Sequence, residues 1–231
     1  YEVSMPVRFS IARLSLLDRG VVYALAHVRG GGEMGKSWYT NGKFAHKSNT
    51  FTDLIDAAHG LSATGLCDAS RVAIRGGSAG GLTVGAAVNM APESFAAVVA
   101  EVPFVDVVNT MLDSSLPLTV VEWEEWGNPA IAAEYQWMRG YAPYENVKDV
   151  AYPPILATAG LNDPRVSYWE PAKWIQRIRN HSTSNCQMLL KTEMSAGHFA
   201  RSGRYDMWED EALVLAFVLT RLARRQTTDN R

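Results

Sequence analysis

The stretch Gly76-Gly77-Ser78-Ala79-Gly80-Gly81-Leu82 decides how this chain is read. It follows a short apolar run, Arg71-Val72-Ala73-Ile74, and precedes Leu82, Val84, Ala86 and Ala87, residues that suit a packed helix. Strand, sharp turn and helix in that order put Ser78 at the apex of a nucleophile elbow, Gly76-x-Ser78-x-Gly80. Such a turn is tight and strained, so side chains flanking the serine would collide with the chain or the substrate. The helix behind it points its positive N-terminal end at any charge developing on a substrate oxygen.

Working outward, Phe9, Leu14, Leu16 and Leu17 predict a helix closed by Gly20. Val21 to Ala26 is a continuous apolar run, read as a strand buried on both faces. Behind it, Gly30-x-Gly32-x-x-Gly35 fits a dinucleotide fingerprint, but no helix is expected directly after it, and a backbone turn is the better account. His27-Val28-Arg29-Gly30 is only loosely similar to an esterase oxyanion loop. Thr50-x-x-Asp53 reads as a capping box before a helix carrying Phe51, Leu54, Ile55, Ala58 and Leu61. Further strands are expected at Ala96–Ala100, Ile155–Ala159 and Met188–Leu190, with helices at Ala172–Ile178 and Leu215–Leu222. Residues 103 to 150, rich in Trp, Pro and acid, read as an insertion of loops and short helices near the substrate. Alternating strands and helices give an α/β fold, a mostly parallel sheet covered by helices on both faces. With the elbow, that is the α/β-hydrolase fold.

A serine needs a base to be a nucleophile at neutral pH. In this fold the partners follow in the order serine, acid, histidine, each on a loop after a strand. Asp163 follows the strand that ends near Gly160; a helix cap is the other reading for an Asp before Pro164. His198, in Ser195-Ala196-Gly197-His198, follows the last strand. His27, His46 and His59 precede Ser78, and His181 sits in a polar stretch before a strand, so none of them suits the order. The expected triad is Ser78, Asp163 and His198, with the Ala79 backbone N–H as an oxyanion donor.

Composition agrees with a globular domain. The 231 residues are 47% hydrophobic and 20% charged, with a net charge of −2 that argues against a nucleic-acid platform. No apolar run approaches a membrane span, and the sequence, whose first residue is Tyr1 rather than Met, reads as having no signal peptide. The tail carrying Arg221, Arg224 and Arg225 reads as a solvated end. Two distant cysteines, Cys67 and Cys186, read as free structural thiols of a reducing compartment.

The elbow, the Arg29-Gly30-Gly31-Gly32-Glu33 turn, Asn162-Asp163-Pro164-Arg165 and Gly197-His198 together resemble the prolyl oligopeptidase family of serine peptidases. Ala12–Gly20, Val102–Val108 and Glu122-Trp123-Glu124-Glu125-Trp126-Gly127-Asn128-Pro129 look like its trypsin-like branch, oligopeptidase B. The resemblance runs from Tyr1 to the final helix. It implies hydrolysis of short peptides after Arg or Lys, in the cytoplasm, with no metal or cofactor. It maps the pocket for a basic side chain onto Glu122 and Glu124, and a grip on a substrate carbonyl onto Arg165. Two carboxylates in a partly desolvated pocket suit a guanidinium; otherwise they read as a solvated acidic face, and Arg165 as a surface ion pair. An esterase or acylaminoacyl peptidase would use the same triad, and a fragment without activity is the third reading.

Two departures from that family stand out. Pro6 and Arg8 occupy positions where some members carry acids for a second basic residue. Family members also have an N-terminal β-propeller, then opening strands of the hydrolase sheet and a tyrosine supplying a second oxyanion donor. On this reading, residues 1–231 are a C-terminal catalytic domain whose N-terminal strands and propeller are missing and act as its partners.

Overall fold

The computed structural model describes residues 2–4, 8–199 and 205–223. Tyr1, Pro6, Arg224 and Arg225 lie outside the described residues. Helix α1 (Ile11–Leu17), short α2 (Lys36–Thr40) and α3 (Ser48–Ala63) precede the sheet. Strand β1 (Ala73–Gly77) leads into α4 (Ala79–Met90), and β2 (Ala97–Glu101) follows. Helices α5 (Val107–Leu112), α6 (Thr119–Trp126) and α7 (Ala132–Tyr141) fill the long segment before β3 (Ile155–Gly160). Then come α8 (Trp169–His181), β4 (Met188–Glu193) and α9 (Asp206–Leu222).

The described strands form one four-stranded sheet in the order β1-β2-β3-β4, every pair parallel. Parallel neighbours need crossovers, and helices supply them. The β2–β3 crossover is expanded into α5, α6 and α7, the insertion expected from its composition.

Apolar content explains the layering. Ala97, Val98, Val99 and Ala100 are fully buried, because β2 has helices on both sides. One face of the sheet, with Ile74, Val98 and Ile155, packs on Ile55, Val84 and Trp174 from α3, α4 and α8. The other, with Ala97, Val99 and Leu156, packs on Val214, Phe217 and Val218 of α9. A third cluster, with Phe51, Leu82, Phe104, Trp126 and Met138, seats the insertion on the elbow helix. Parallel strands open their carboxyl ends to one edge, and Ser78, the Asp163 loop and the His198 loop all follow such ends.

Three expectations need correction. Val21 to Ala26 forms no strand, and Val22, Tyr23 and Leu25 are exposed. A strand is defined by a partner, and here residues 20–24 flank β1 across a cavity of about 610 Å3 without pairing to it. Thr50 does not cap α3, which already starts at Ser48. Instead the Thr50 hydroxyl donates to the Arg29 carbonyl, and Asp53 accepts from the Arg29 backbone and guanidinium. A guanidinium is the stronger partner for a carboxylate. Finally, a five-residue helix, α2, does open after Gly35, although no strand precedes the glycines.

Candidate active site

Ser78 sits between β1 and α4 with φ 55° and ψ −117°, a region that non-glycine residues rarely occupy. Backbone bonds hold it there. Its N–H donates to the Glu101 carbonyl at 2.8 Å, and its own carbonyl accepts from Gly81, Leu82 and Phe104. Gly76 is required by crowding: a Cβ there would stand 2.2 Å from the Gly80 carbonyl oxygen. Ala79 is the first residue of α4, so its N–H is one of the helix's four donors without an intrahelical acceptor.

The loops after β3 and β4 bring the other two residues to Ser78. Leu161 N–H donates to the Glu193 carbonyl and Asn162 N–H to the Ala196 carbonyl, which straps the loops together. Gly160 permits this, because a Cβ there would lie 2.2 Å from the Gly197 carbonyl oxygen. His198 Nε2 stands 3.0 Å from Ser78 Oγ, and His198 Nδ1 stands 2.7 Å from Asp163 Oδ2. The Asp163 side chain has no solvent exposure and that of His198 has 7%. Asp163 Oδ1 accepts the N–H groups of Arg165 and Val166 at 2.8 and 3.0 Å. Asp163 caps no helix, since α8 begins only at Trp169; one of its oxygens closes a turn and the other faces the imidazole. An ionised carboxylate only accepts, so Nδ1 carries the proton and Nε2 is left to accept from the serine hydroxyl.

Beside Ser78 lies a cleft of about 230 Å3, lined by Phe104, Thr110, Met111, Glu122 and Arg165 among others. Glu122 Oε2 accepts the Trp126 indole N–H at 2.8 Å. Glu124 is exposed and lies outside the cleft lining. Arg165 is exposed at the cleft, its backbone tied to Asp163.

Sequence reasoning missed what holds α6 in place. Glu125 is buried between Tyr39, whose hydroxyl donates to it at 2.8 Å, and Lys47 at 3.6 Å. Burial lowers the Lys47 pKa to about 8, against the opposing pull of Glu125. Burial, followed by the Glu125 carboxylate, raises that of Tyr39. Phe104 had a sequence signal, since it lies in the Val102–Val108 stretch; Thr110, Met111, Lys47 and Glu170 had none. Among the described residues, no group of three or more His, Cys, Asp or Glu is arranged to hold a metal, and no helix is long and apolar enough to cross a membrane.

Comparison with known proteins extends the likeness across the chain. A sequence model described as "Prolyl oligopeptidase family" matches residues 7–225. The chain is 51% identical over 222 residues to "Protease 2" of Moraxella lacunata, covering 96% of this chain and 32% of that protein. It is 50% identical over 222 residues to "Dipeptidyl aminopeptidase BI" of Pseudoxanthomonas mexicana, covering 96% and 31%. Among solved structures, oligopeptidase B from Leishmania major matches with a TM-score of 0.93 at 48% identity, over 96% of this chain and 31% of that one. The chain thus spans about a third of the length of these relatives.

Proposed function

The chain belongs to the prolyl oligopeptidase family, and from that premise we propose that it is the catalytic part of a serine peptidase cleaving short peptides after Arg or Lys. The observation that carries this is the continuous line from buried Asp163 through His198 to Ser78, with contacts of 2.7 and 3.0 Å. Ser78 Oγ attacks the scissile carbonyl carbon as its proton passes to His198 Nε2. Asp163 keeps the ring in the required tautomer and stabilises the imidazolium. The carbonyl oxygen takes up the negative charge and the Ala79 N–H receives it. Collapse breaks the C–N bond, and His198 returns the proton to the departing amine. Water, deprotonated by His198, then attacks the acyl-serine ester and frees the acid product and Ser78.

The cleft supplies selectivity. Glu122 at its wall meets the guanidinium or ammonium of the substrate; Glu124, on the exposed side of α6, adds charge from further away. Arg165 at the rim takes a substrate carbonyl. The same reading assigns the chain a cytoplasmic location, which suits two free cysteines, and places it beside an N-terminal segment of a longer polypeptide that carries opening strands and a β-propeller. Its span of about a third of its relatives supports that placement.

A relative named as a dipeptidyl aminopeptidase, at 50% identity, favours a second reading in which dipeptides leave from a free N-terminus. Arginyl-amide peptides with free and with blocked N-termini separate the two, since only the endopeptidase accepts both. The triad is tested by fluorophosphonate treatment and mass spectrometry, with the adduct expected on Ser78. An adduct on another serine overturns the assignment.

A further inference from the structure

Among the described residues, Glu170 is the one carboxylate that the proposed reaction leaves unused and that is buried without any exposure. It lies in the first turn of α8, just after the loop that carries Asp163 and Arg165. One oxygen, Oε2, accepts the N–H groups of both Val105 and Asp106 at 2.9 Å. The other, Oε1, accepts the Thr110 hydroxyl at 2.8 Å. These three donors belong to the segment that runs from the end of β2 through α5, whose Phe104, Thr110 and Met111 form one wall of the cleft. A second wall, Pro164 to Ser167, leads directly into Glu170, whose own N–H donates to the Ser167 carbonyl.

The connection continues to Glu122. The Thr119 hydroxyl donates to the Thr110 carbonyl, and the Trp123 indole donates to the Met111 carbonyl. Both donors are on α6, the helix that carries Glu122. Around the carboxylate, Asp106 is engaged by Lys173 and Asn109, while its negative charge and, above all, burial push the Glu170 pKa up to about 7. A carboxylate kept in so costly a place is held there by what it positions.

We infer that Glu170 is a positioning residue that clamps the two walls of the cleft at a fixed separation, and so sets affinity for the basic side chain without touching the reacting atoms. The inference rests on the peptidase reading above. The clamp depends on length more than on charge. In Glu170→Gln the amide oxygen still accepts both N–H groups and the NH2 donates to the Thr110 hydroxyl. In Glu170→Asp the charge stays, but the side chain is one methylene too short to reach both partners.

The test uses the full-length protein that carries this chain, an arginyl-amide peptide, and a small uncharged fluorophosphonate. Glu170→Asp should raise KM for the arginyl amide about 10-fold, whereas Glu170→Gln should stay within about 2-fold of the parent. The rate of Ser78 labelling should stay within about 2-fold in both, because a purely structural lesion would slow labelling as well. Equal KM in Glu170→Asp and the parent, or a rise in KM matched by an equal slowing of labelling in either variant, overturns the inference. If Glu170→Asp folds poorly, Glu170→Gln decides alone, a KM rise above about 5-fold being the overturning result. A parent protein that neither labels on Ser78 nor cleaves the arginyl amide refutes the peptidase reading and this inference with it.

Discussion

Ser78 is held by backbone and Glu122 by side chains. At the elbow, four main-chain hydrogen bonds and the close approach of Gly76 to Gly80 fix the serine within a few residues of sequence. Across the cleft, Glu122 depends on α6, which depends on Thr110 and Met111 of α5, and these depend on Glu170 of α8. Lys47 and Tyr39 from the N-terminal third hold α6 from its other side through Glu125. The proposed nucleophile is thus a local arrangement that a short motif can encode. The wall proposed to set specificity is a relay of buried polar contacts between distant segments, sensitive to changes far from the cleft.

That contrast can be broken at either end. The largest expected effect is at the elbow: Ser78→Ala should lower turnover by a factor on the order of 10⁴ or more, measured per folded protein. Turnover retained within 10-fold, on the order-of-magnitude scale of such losses, would remove Ser78 from the mechanism.

Next comes a stability effect on the relay. The Glu170 pKa rises from 4.5 to about 7 on folding, chiefly through burial. The folded state therefore binds this proton more tightly than the unfolded chain. Stability from this group is highest below pH 4.5 and is lost as pH rises to about 7, a change of about 3 kcal/mol at 1.36 kcal/mol per unit. Urea unfolding at pH 5 and pH 8 should show that loss in the parent and not in Glu170→Gln. Identical pH dependence in the two proteins would mean that Glu170 does not titrate in this window.

Smaller effects sharpen the other side of the comparison. Glu122→Gln should cost about 1.5–3 kcal/mol, roughly 10- to 100-fold in kcat/KM, on Arg and Lys substrates and little on uncharged aryl esters. Glu124→Gln should cost less than about 3-fold, because an exposed charge is screened by solvent and salt. If both substrate classes lose equally, the glutamates act on structure and the basic side chain is bound elsewhere. If Glu124→Gln loses as much as Glu122→Gln, the exposed carboxylate turns into the site when substrate binds.

How much of this was legible follows from range. Ser78 is legible from the elbow motif, and Asp163 and His198 from strand-loop order, and the structure brings the three together. The apolar runs at β2 and β3 are also plain, because strands buried on both faces leave little room for polar residues; β1 and β4, which carry Arg75 and Lys191, are only partly buried and are marked by shorter apolar runs. Val21 to Ala26 carries the same pattern yet forms no strand, since a strand's hydrogen bonds belong to its neighbour as much as to itself. Thr50 and Asp53 matched a capping box and instead engage Arg29, a partner more than twenty positions away.

By itself, then, the sequence determined the alternating architecture, the elbow and the order of the reactive residues. Each of these follows from local backbone sterics and from the periodicity of burial. Only the tertiary structure decided that Glu122 faces the cleft while Glu124 faces solvent, that Glu125 sits on Lys47 and Tyr39, and that Glu170 reaches Val105, Asp106 and Thr110. A carboxylate has the same letter on a surface or in a core. What separates the cases is which donors the fold brings within hydrogen-bond distance after water has been excluded, and no spacing along the chain records that.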